Sequence, residues 1–412
     1  MQNKPVILFL SYNGLLEPIL PSQALPYMKR LAASGYRFIL LTFEKKADLR
    51  RTGRHGLAAV RNELNACGIE WRYLKYHKNP PVISTVFDLL RGAIVSLYLA
   101  VSRRVNILHV RGVTPGIITI LISGMIKAKI VFDMRGLLAE EYVGGGLWKE
   151  GGMSFNLVKR AEKRMLEISD AVVVLTNKHL ELNRTLGVAG RDVPMEVVPC
   201  CVDTDRFRRM PEEAARLRRE LGLGGAFVLM YPGKIGTFYL VKEMVDFFKV
   251  FAADVPDAVL LIVTNDDAGP MTEHAVSIGV DARCMRVLKG VPFEDMPRYT
   301  NIADAGLFFI NPYKKIGSSP IKLGEFLACG VPVMINPGVG DTEEIVRSGR
   351  AGVVVNDLSD GSYRKASAEL ADMMKEGEGL KERCRQTAKK YLSLEIAVEK
   401  YAKIYDVLSG IR

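Results

Sequence analysis

The chain has 412 residues, of which 48% are hydrophobic and 25% are charged. That balance is typical of a globular protein, and the length exceeds what one hydrophobic core usually supports, so two domains are expected. The net charge of +11 lies entirely in residues 1–206, because residues 207–412 carry equal numbers of basic and acidic side chains. This asymmetry favours a surface that meets an anionic partner, either phospholipid headgroups, a phosphorylated acceptor or nucleic acid, although ordinary surface solvation explains it equally well.

The first apolar run, residues 6–10, is short and is followed by Ser11, Asn13 and Gly14. A secretory signal needs a longer apolar stretch and a small-residue cleavage site, so the run is interpreted as a buried strand. The longest uncharged stretch, residues 112–126, is shorter than the ~20 apolar residues that a spanning helix needs. We therefore expect no membrane-spanning segment and a cytoplasmic protein.

Uninterrupted apolar runs alternate with amphipathic stretches in both halves of the chain, a pattern that predicts parallel sheets covered by helices on both faces. The expected strands are residues 6–10, 37–42, 107–110, 129–132 and 171–175, then 227–231, 258–263, 285–287, 305–309, 331–335 and 352–355. The expected helices include residues 22–34, 47–67, 154–168 and one long closing helix at 391–409. The aperiodic segment 197–211 is interpreted as the linker, which places one domain at residues 1–205 and a second at 206–390, with residues 391–412 packing back on the first.

In doubly wound sheets, ligands bind in the loops that follow the strands, next to helix N-termini. After the first strand, Gly14 would let the backbone approach a ligand closely, although many such loops hold a glycine for the turn alone. After residues 129–132 comes Arg135, a cation suited to a phosphate, which could equally form a structural pair with Asp133. No GxGxxG motif is present, which counts against a dinucleotide oxidoreductase.

The second half of the chain contains a more specific candidate for a phosphate-binding site. Gly233 and Lys234 follow its first strand, where a cation would neutralise a phosphate. Ser319 is a natural N-cap and Pro320 a natural first helical residue, so a helix is expected to begin there with exposed amides. Lys322 and Glu325 would share one face of its first turns, unless they form an ordinary surface ion pair.

The segment SPIKLGEFLACGVPV at residues 319–333 resembles the donor-site signature of family 4 retaining glycosyltransferases, which have the two-domain GT-B fold. Five further segments agree in order, and the resemblance spans nearly the whole chain. They are residues 17–23, 198–207, 231–236, 291–306 and 338–341. The resemblance implies two Rossmann-like domains that face each other across a cleft, and a role in bacterial envelope polysaccharide synthesis.

The resemblance also implies roles for individual residues. Glu325 would bind the ribose hydroxyls, and Lys234 and Lys322 would balance the phosphate charge, with Gly14 against the donor diphosphate from the opposite domain. Front-side attack with retention would need no protein nucleophile and no metal, so no cofactor is expected beyond a UDP- or GDP-sugar co-substrate. The remaining donor-site residues implied are Gly233, Asn265, Val291, Gly317, Ser318, Ser319, Pro320 and Ile321.

Two departures from the family pattern concern the donor sugar. Many members carry a second glutamate eight positions before the one at Glu325, where this chain has Gly317. Many also carry a cation six positions after the one at Lys234, where this chain has Leu240. Lys322 could replace the missing charge, and Arg135 stands near where many members have a histidine.

The six cysteines form no CxxC pair and have no histidine at metal-ligand spacing, so they are expected to be reduced thiols. Two alternative functions remain open. Another GT-B enzyme, such as an epimerase or a phosphorylase, would need acid–base groups or a cofactor lysine, and His109 is the single histidine at a strand end of the first half. A non-enzymatic membrane- or nucleic-acid-binding protein would explain the basic half, but no nucleic-acid motif supports it.

The acceptor is predicted from a segment that is apolar and basic together. Residues 85–104 hold apolar side chains beside Arg91, Arg103 and Arg104. Such a helix can lie in a membrane surface, or it can pack on the sheet with cationic ends. Combined with the charge asymmetry, it predicts a glycan or lipid-linked acceptor and electrostatic, peripheral contact with the inner face of an anionic membrane.

Overall fold

A computed structural model describes residues 4–185, 193–236 and 238–410 of the chain. It divides into two compact units, the first made of residues 1–143, 148–199 and 394–412 and the second of residues 144–147 and 200–393. The sequence had placed these boundaries at 205 and 390. The expectation that the domains face each other across a cleft stays a prediction.

The first unit is built on a seven-stranded parallel sheet of order β3-β2-β1-β4-β5-β6-β7. The strands at its centre are buried along almost their whole length, as expected for apolar strands covered on both faces. The chain order reverses at β1 and β4, which is where doubly wound sheets place their ligands. The strands are β1 Val6–Ser11, β2 Arg37–Lys45, β3 Ile69–Tyr76, β4 Ile107–Arg111, β5 Lys129–Asp133, β6 Ala171–Val174 and β7 Met195–Val197.

The second unit is built on a six-stranded parallel sheet of order β10-β9-β8-β11-β12-β13, and its order reverses at β8 and β11. A single hydrophobic cluster fills this unit on both faces of the sheet. The strands are β8 Phe227–Pro232, β9 Ala258–Thr264, β10 Met285–Lys289, β11 Ala305–Phe308, β12 Val333–Ile335 and β13 Gly352–Val354.

Seventeen α-helices connect the strands of the described residues, together with two short 3-10 turns at Ser123–Met125 and Ala282–Cys284. In chain order they are α1 Ile19–Gln23, α2 Leu25–Ala33, α3 Lys46–Ala66, α4 Pro81–Ser102, α5 Val113–Ile122, α6 Leu138–Gly144, α7 Met153–Ile168, α8 Asn177–Thr185, α9 Pro211–Glu220, α10 Val241–Asp254, α11 Gly269–Ser277, α12 Met296–Thr300, α13 Ile321–Ala328, α14 Thr342–Gly349, α15 Asp360–Met374, α16 Glu378–Leu392 and α17 Leu394–Leu408.

All eleven strands predicted from the sequence are confirmed, and two strands of the first unit were missed. The missed β3 carries charged side chains between its apolar ones, and β7 has only three residues. The single helix predicted at 391–409 is wrong, because Ser393 is extended and separates α16 from α17. The helix predicted at 22–34 is likewise two, α1 and α2, which meet at Ala24.

The closing helix α17 packs within the first unit, against α2. Its Asp406 accepts a 2.7 Å hydrogen bond from the Tyr36 hydroxyl and lies 2.7 Å from the Lys4 ammonium. Lys400 donates to the carbonyl of Val197 at 2.7 Å. These contacts hold the last residues of the described chain to the sheet formed by the first residues.

Candidate functional site

Helix α13 of the second unit begins after the loop that follows β11, at the point where the strand order reverses. The capping prediction was wrong by one residue: Pro320 occupies the N-cap in an extended conformation, and Ile321 is the first helical residue. Ser319 has a different task, because its hydroxyl accepts a 3.1 Å hydrogen bond from the Cys200 amide. Pro320 offers no side-chain cap and its carbonyl accepts from the Leu323 amide at 3.1 Å, so within the described residues the Ile321 and Lys322 amides are left for a ligand.

Lys322 lies in the first turn of α13 and is only 9% exposed. Its ammonium donates to the Tyr239 hydroxyl at 2.6 Å and lies 3.9 Å from the centre of that ring and 5.3 Å from the centre of the Tyr231 ring. The two aromatic rings hold this ammonium, and among the described residues it forms no ion pair with a carboxylate. The charge is therefore available to an anion that enters from the helix start.

The loop after β8 comes directly against this lysine. Gly233 has a φ of 134°, and a Cβ built on it would lie 2.8 Å from the Lys322 Nζ. The positive φ therefore favours glycine there, and a side chain would also displace the end of the Lys322 side chain. Lys234 follows, but its side chain is exposed, and its carbonyl accepts the hydrogen bond of the Tyr231 hydroxyl. The predicted neighbours Gly233 and Lys322 are thus together, whereas the side chain of Lys234 makes no described contact with Lys322.

Glu325 lies one turn beyond, and its side chain is also buried, with 8% exposed. Burial raises the pKa of this carboxyl to about 7, against the opposing influence of the Lys322 and Arg206 charges. Within the described residues it forms no ion pair with Lys322, so the surface-pair interpretation is excluded. A buried carboxyl group that forms no ion pair among the described residues is suited to accept hydrogen bonds from a ligand hydroxyl.

Gly317 and Ser318 lead into this helix start, and Gly317 is buried. The Ser318 amide donates to the carbonyl of Lys315 at 3.1 Å. Lys315 is itself buried, and its ammonium lies 3.7 Å from the centre of the Phe238 ring. The sequence reasoning missed Lys315, Tyr231 and Tyr239, since no motif signals aromatic rings that hold a lysine.

Asn265 and Val291 were predicted to belong to the donor site, and the structure places them side by side. Asn265 follows β9 and is exposed, and its amide side chain lies so close to Gly290 that a Cβ there would be 2.5 Å away. Val291, next to Gly290, is half-buried against the core. The loops after β9 and β10 therefore meet at the carboxyl edge of the same sheet.

In the first unit, close packing against Glu44 explains why position 14 is a glycine. A Cβ on Gly14 would lie 2.5 Å from the Glu44 carboxylate, which is fully buried. That carboxylate accepts hydrogen bonds from the amides of Leu15 at 2.6 Å and Leu16 at 3.1 Å, and from the Thr42 hydroxyl at 2.5 Å. Burial raises the pKa of Glu44, while these donors favour the ionised form. The contact of Gly14 with the donor stays a prediction.

Arg135 adopts a left-handed conformation with a φ of 49° and has its guanidinium 3.7 Å from the Asp133 carboxylate. Asp133 also lies 3.3 Å from Arg111 and accepts a 3.1 Å hydrogen bond from the Tyr401 hydroxyl. Burial alone would raise the pKa of Asp133, but Arg135, His109 and Arg111 together lower it to about 2. Arg135 thus has the structural pairing that the sequence left open, and its role at the donor sugar stays a prediction.

His109 is a core residue and not an acid–base group of a cleft. It is fully buried, stacks on Phe9 with 4.4 Å between ring centres, and has its Nδ1 2.7 Å from the Tyr405 hydroxyl. Burial lowers its pKa, so it is neutral near pH 7. Among the described residues, no group of three or more His, Cys, Asp and Glu side chains is arranged to hold a metal ion.

Part of the second unit is similar to a known protein family. Residues 227–372, which include β8, α13 and the loops between them, match the family described as glycosyl transferases group 1. The matched residues include Lys234, Lys322 and Glu325, together with Asn265 and Val291, all on the carboxyl side of the sheet.

A curated relative extends the likeness beyond that domain. The chain is 30% identical over 235 residues to the GDP-mannose-dependent alpha-(1-6)-phosphatidylinositol monomannoside mannosyltransferase of Mycolicibacterium smegmatis. The match covers 54% of this chain and 58% of the relative, so the chain spans little more than half the length of that protein.

Solved structures show that the fold is shared over nearly the whole chain. Anabaena HepE, in complex with UDP and glucose, aligns with a TM-score of 0.73 at 13% identity and covers 98% of this chain and 100% of its own. The sucrose-phosphate synthase of Thermosynechococcus elongatus aligns with a TM-score of 0.71 at 15% identity, over 99% and 100%. The predicted fold class, GT-B with two Rossmann-like domains, is therefore confirmed.

Proposed function

We propose that this protein transfers a sugar from a nucleotide diphosphate sugar to a glycan or lipid-linked acceptor in the synthesis of a cell-envelope polysaccharide. The observation that carries the proposal is the start of α13, where uncapped amides, the buried Lys322 and the buried Glu325 converge. An anionic diphosphate fits the amides and the cation, and a ribose fits the carboxylate.

The chemistry follows from where charge develops. Departure of the nucleotide diphosphate concentrates negative charge on its terminal phosphate, and fixed cations and amides stabilise that charge in the transition state. Lys322 would act there from inside the protein, and Lys234 from the exposed loop after β8. We propose front-side attack with retention at the anomeric carbon, without a protein nucleophile and without a required metal ion.

The donor and acceptor classes are supported by the relatives. The mycobacterial relative is named for GDP-mannose and a phosphatidylinositol mannoside, and HepE is described with UDP and glucose. A donor carrying UDP or GDP and an acceptor anchored in lipid are therefore the classes to test first. A cytoplasmic protein at the inner face of the plasma membrane would meet both.

The proposal is tested by incubating the protein with a panel of UDP- and GDP-sugars and measuring sugar release or transfer by mass spectrometry. We expect one donor to be consumed, and we expect Lys322→Ala to abolish most of that consumption while the protein stays folded. Consumption of no sugar nucleotide with any glycan or lipid-linked acceptor would contradict the proposed reaction.

A further inference from the structure

Helix α4 exposes its large apolar side chains. Six of them recur at helical spacing on the outward side, and we call them the α4 outer face: Ile83, Phe87, Leu90, Ile94, Tyr98 and Val101. Each is more than half exposed, with Ile94 at 70%. Contiguous exposed apolar surfaces of this kind mark interaction sites on globular proteins.

The opposite side of α4 is buried and packs on its neighbours in the first unit. Small side chains, including Ser84, Ser96 and Ala100, form the buried side. At Gly92 a Cβ would lie 2.6 Å from Ile118 Cδ1 and 2.9 Å from the Phe43 ring, so the helix packs close to its neighbours. Leu99 is buried on this side as well, and a side chain larger than hydrogen at Gly92 would meet these neighbours.

The charges around the α4 outer face are positive. The one carboxylate of the helix, Asp88, is fully buried and lies 2.6 Å from the His77 ring. Arg91 and Arg104 are exposed, and within the described residues neither forms an ion pair. Arg103 differs, because it is bound to Glu70 at 3.0 Å.

The positive charges of Arg91 and Arg104 distinguish between two possible partners of the α4 outer face, a second copy of this chain and a lipid surface. In a symmetric dimer the same surface meets itself, so Arg91 and Arg104 would face like charges of the second copy. A layer of anionic phospholipid headgroups instead attracts them while the apolar stripe enters the acyl boundary beneath. The charge pattern therefore favours a lipid surface.

The dimensions of the helix fit an orientation in the plane of the membrane. The segment Val82–Ser102 is long and apolar enough to cross a bilayer by length and composition, with a mean hydropathy of 1.6. It is, however, the crossover between the parallel strands β3 and β4, and its inner side packs on α5. At 22 residues it presents a stripe about 33 Å long on one side only.

We propose that the α4 outer face is an interfacial membrane-binding site that inserts its apolar side chains into an anionic phospholipid bilayer. The sequence predicted an electrostatic contact, which high salt would release. The proposal here is insertion of apolar side chains, which high salt does not release. The proposal does not depend on glycosyl transfer, because binding is measured without donor or acceptor.

The test is sedimentation with vesicles of phosphatidylcholine alone or mixed with phosphatidylglycerol, at low salt and at about 1 M salt, where the Debye length is about 3 Å. The variant Phe87→Ser, Leu90→Ser, Ile94→Ser removes the centre of the α4 outer face. Its matched control, Val276→Ser with Val407→Ser, removes exposed apolar side chains elsewhere. Circular dichroism and thermal melting establish that both variants are folded.

We expect the wild type and the control to bind the anionic vesicles, to keep part of that binding at high salt, and to bind neutral vesicles weakly. The triple variant should bind at least about tenfold less, as expected for removing three inserted side chains. Complete release by salt, or equal binding of a folded triple variant, would overturn the proposal. The proposal would also be overturned if the wild type did not bind vesicles but formed a dimer, and the triple variant were a monomer. A second copy of the chain would then cover α4.

Discussion

Helices α13 and α4 depart from the usual rule of burial in opposite directions. Charged side chains are seldom buried, yet α13 buries Lys322 and Glu325, and large apolar side chains usually face inward, yet α4 turns Ile94 and Tyr98 outward. Each departure costs stability in isolation, and we propose that each serves a ligand of matching chemistry. One site suits a nucleotide diphosphate and the other a lipid surface, and they lie in different units of the chain.

The largest effect is expected at Lys322. Replacing it with Ala should slow sugar transfer by roughly one to three orders of magnitude, because a buried, preorganised cation at the developing phosphate charge is lost. Lys234→Ala is the matched comparison, and since its side chain is exposed, the loss should be smaller. Steady-state kinetics with the identified donor measure both, and equal activity of a folded Lys322→Ala protein would remove the lysine from the mechanism.

Glu325 should act mainly on donor binding. Glu325→Ala should raise the donor KM by about tenfold, as loss of a hydrogen bond to a charged group usually does. Burial raises the pKa of Glu325 to about 7, so protonation should weaken the donor contact as the pH falls through 7. The donor KM of the wild type should therefore rise at lower pH, and that of Glu325→Gln should not.

The charged rim of α4 should contribute less than its apolar stripe. Replacing Arg91 and Arg104 with Ser should weaken binding to anionic vesicles several-fold at low salt, since each basic residue near the surface contributes about 1 kcal/mol at most. Arg103→Ser should have a smaller effect, because Glu70 already neutralises that side chain. Equal effects of Arg103 and Arg91 in vesicle sedimentation would show that the Glu70 pair does not persist in solution.

The close packing under α4 can be tested separately. Gly92→Val should reduce the free energy of unfolding by about 1–3 kcal/mol, since the added carbons meet Ile118 and Phe43. Gly124→Ala serves as the control, because a Cβ added at Gly124 would have open space around it within 4 Å. Urea titration of both variants measures the difference, and a neutral Gly92→Val would mean that α4 has room to rotate.

Chelation should have the smallest effect. Activity is expected to survive EDTA, since Lys322, Lys234 and the α13 amides are proposed to balance the diphosphate charge. Loss of activity with EDTA and recovery with Mn²⁺ would replace the metal-free mechanism with a metal-assisted one.

The sequence predicted the sheets well because buried parallel strands are continuous apolar runs. It missed β3, which alternates apolar and charged residues and so lacks a continuous apolar run, and the break at Ser393, which no proline or glycine announces. At the site, the motif placed Glu325 and Lys322 correctly on one helix. It could not show that Tyr239 holds the lysine, since that contact joins residues 83 positions apart.

For some segments the sequence predicted the position correctly but not the local interactions. Ser319 was expected to cap α13, but its hydroxyl binds the Cys200 amide and Pro320 takes the cap. Segment 85–104 was recognised as apolar and basic, but its sequence alone does not reveal which side faces the sheet. Only the small buried residues around Gly92 settle that orientation.

The central claim, that a nucleotide diphosphate binds at the start of α13, is tested most directly by isothermal titration of UDP and GDP into the wild type, Lys322→Ala and Glu325→Ala. The account predicts that the wild type binds one of the two nucleotides, and that both folded variants bind it at least about tenfold more weakly. A wild type that binds neither nucleotide, or folded variants that bind with wild-type affinity, would contradict it.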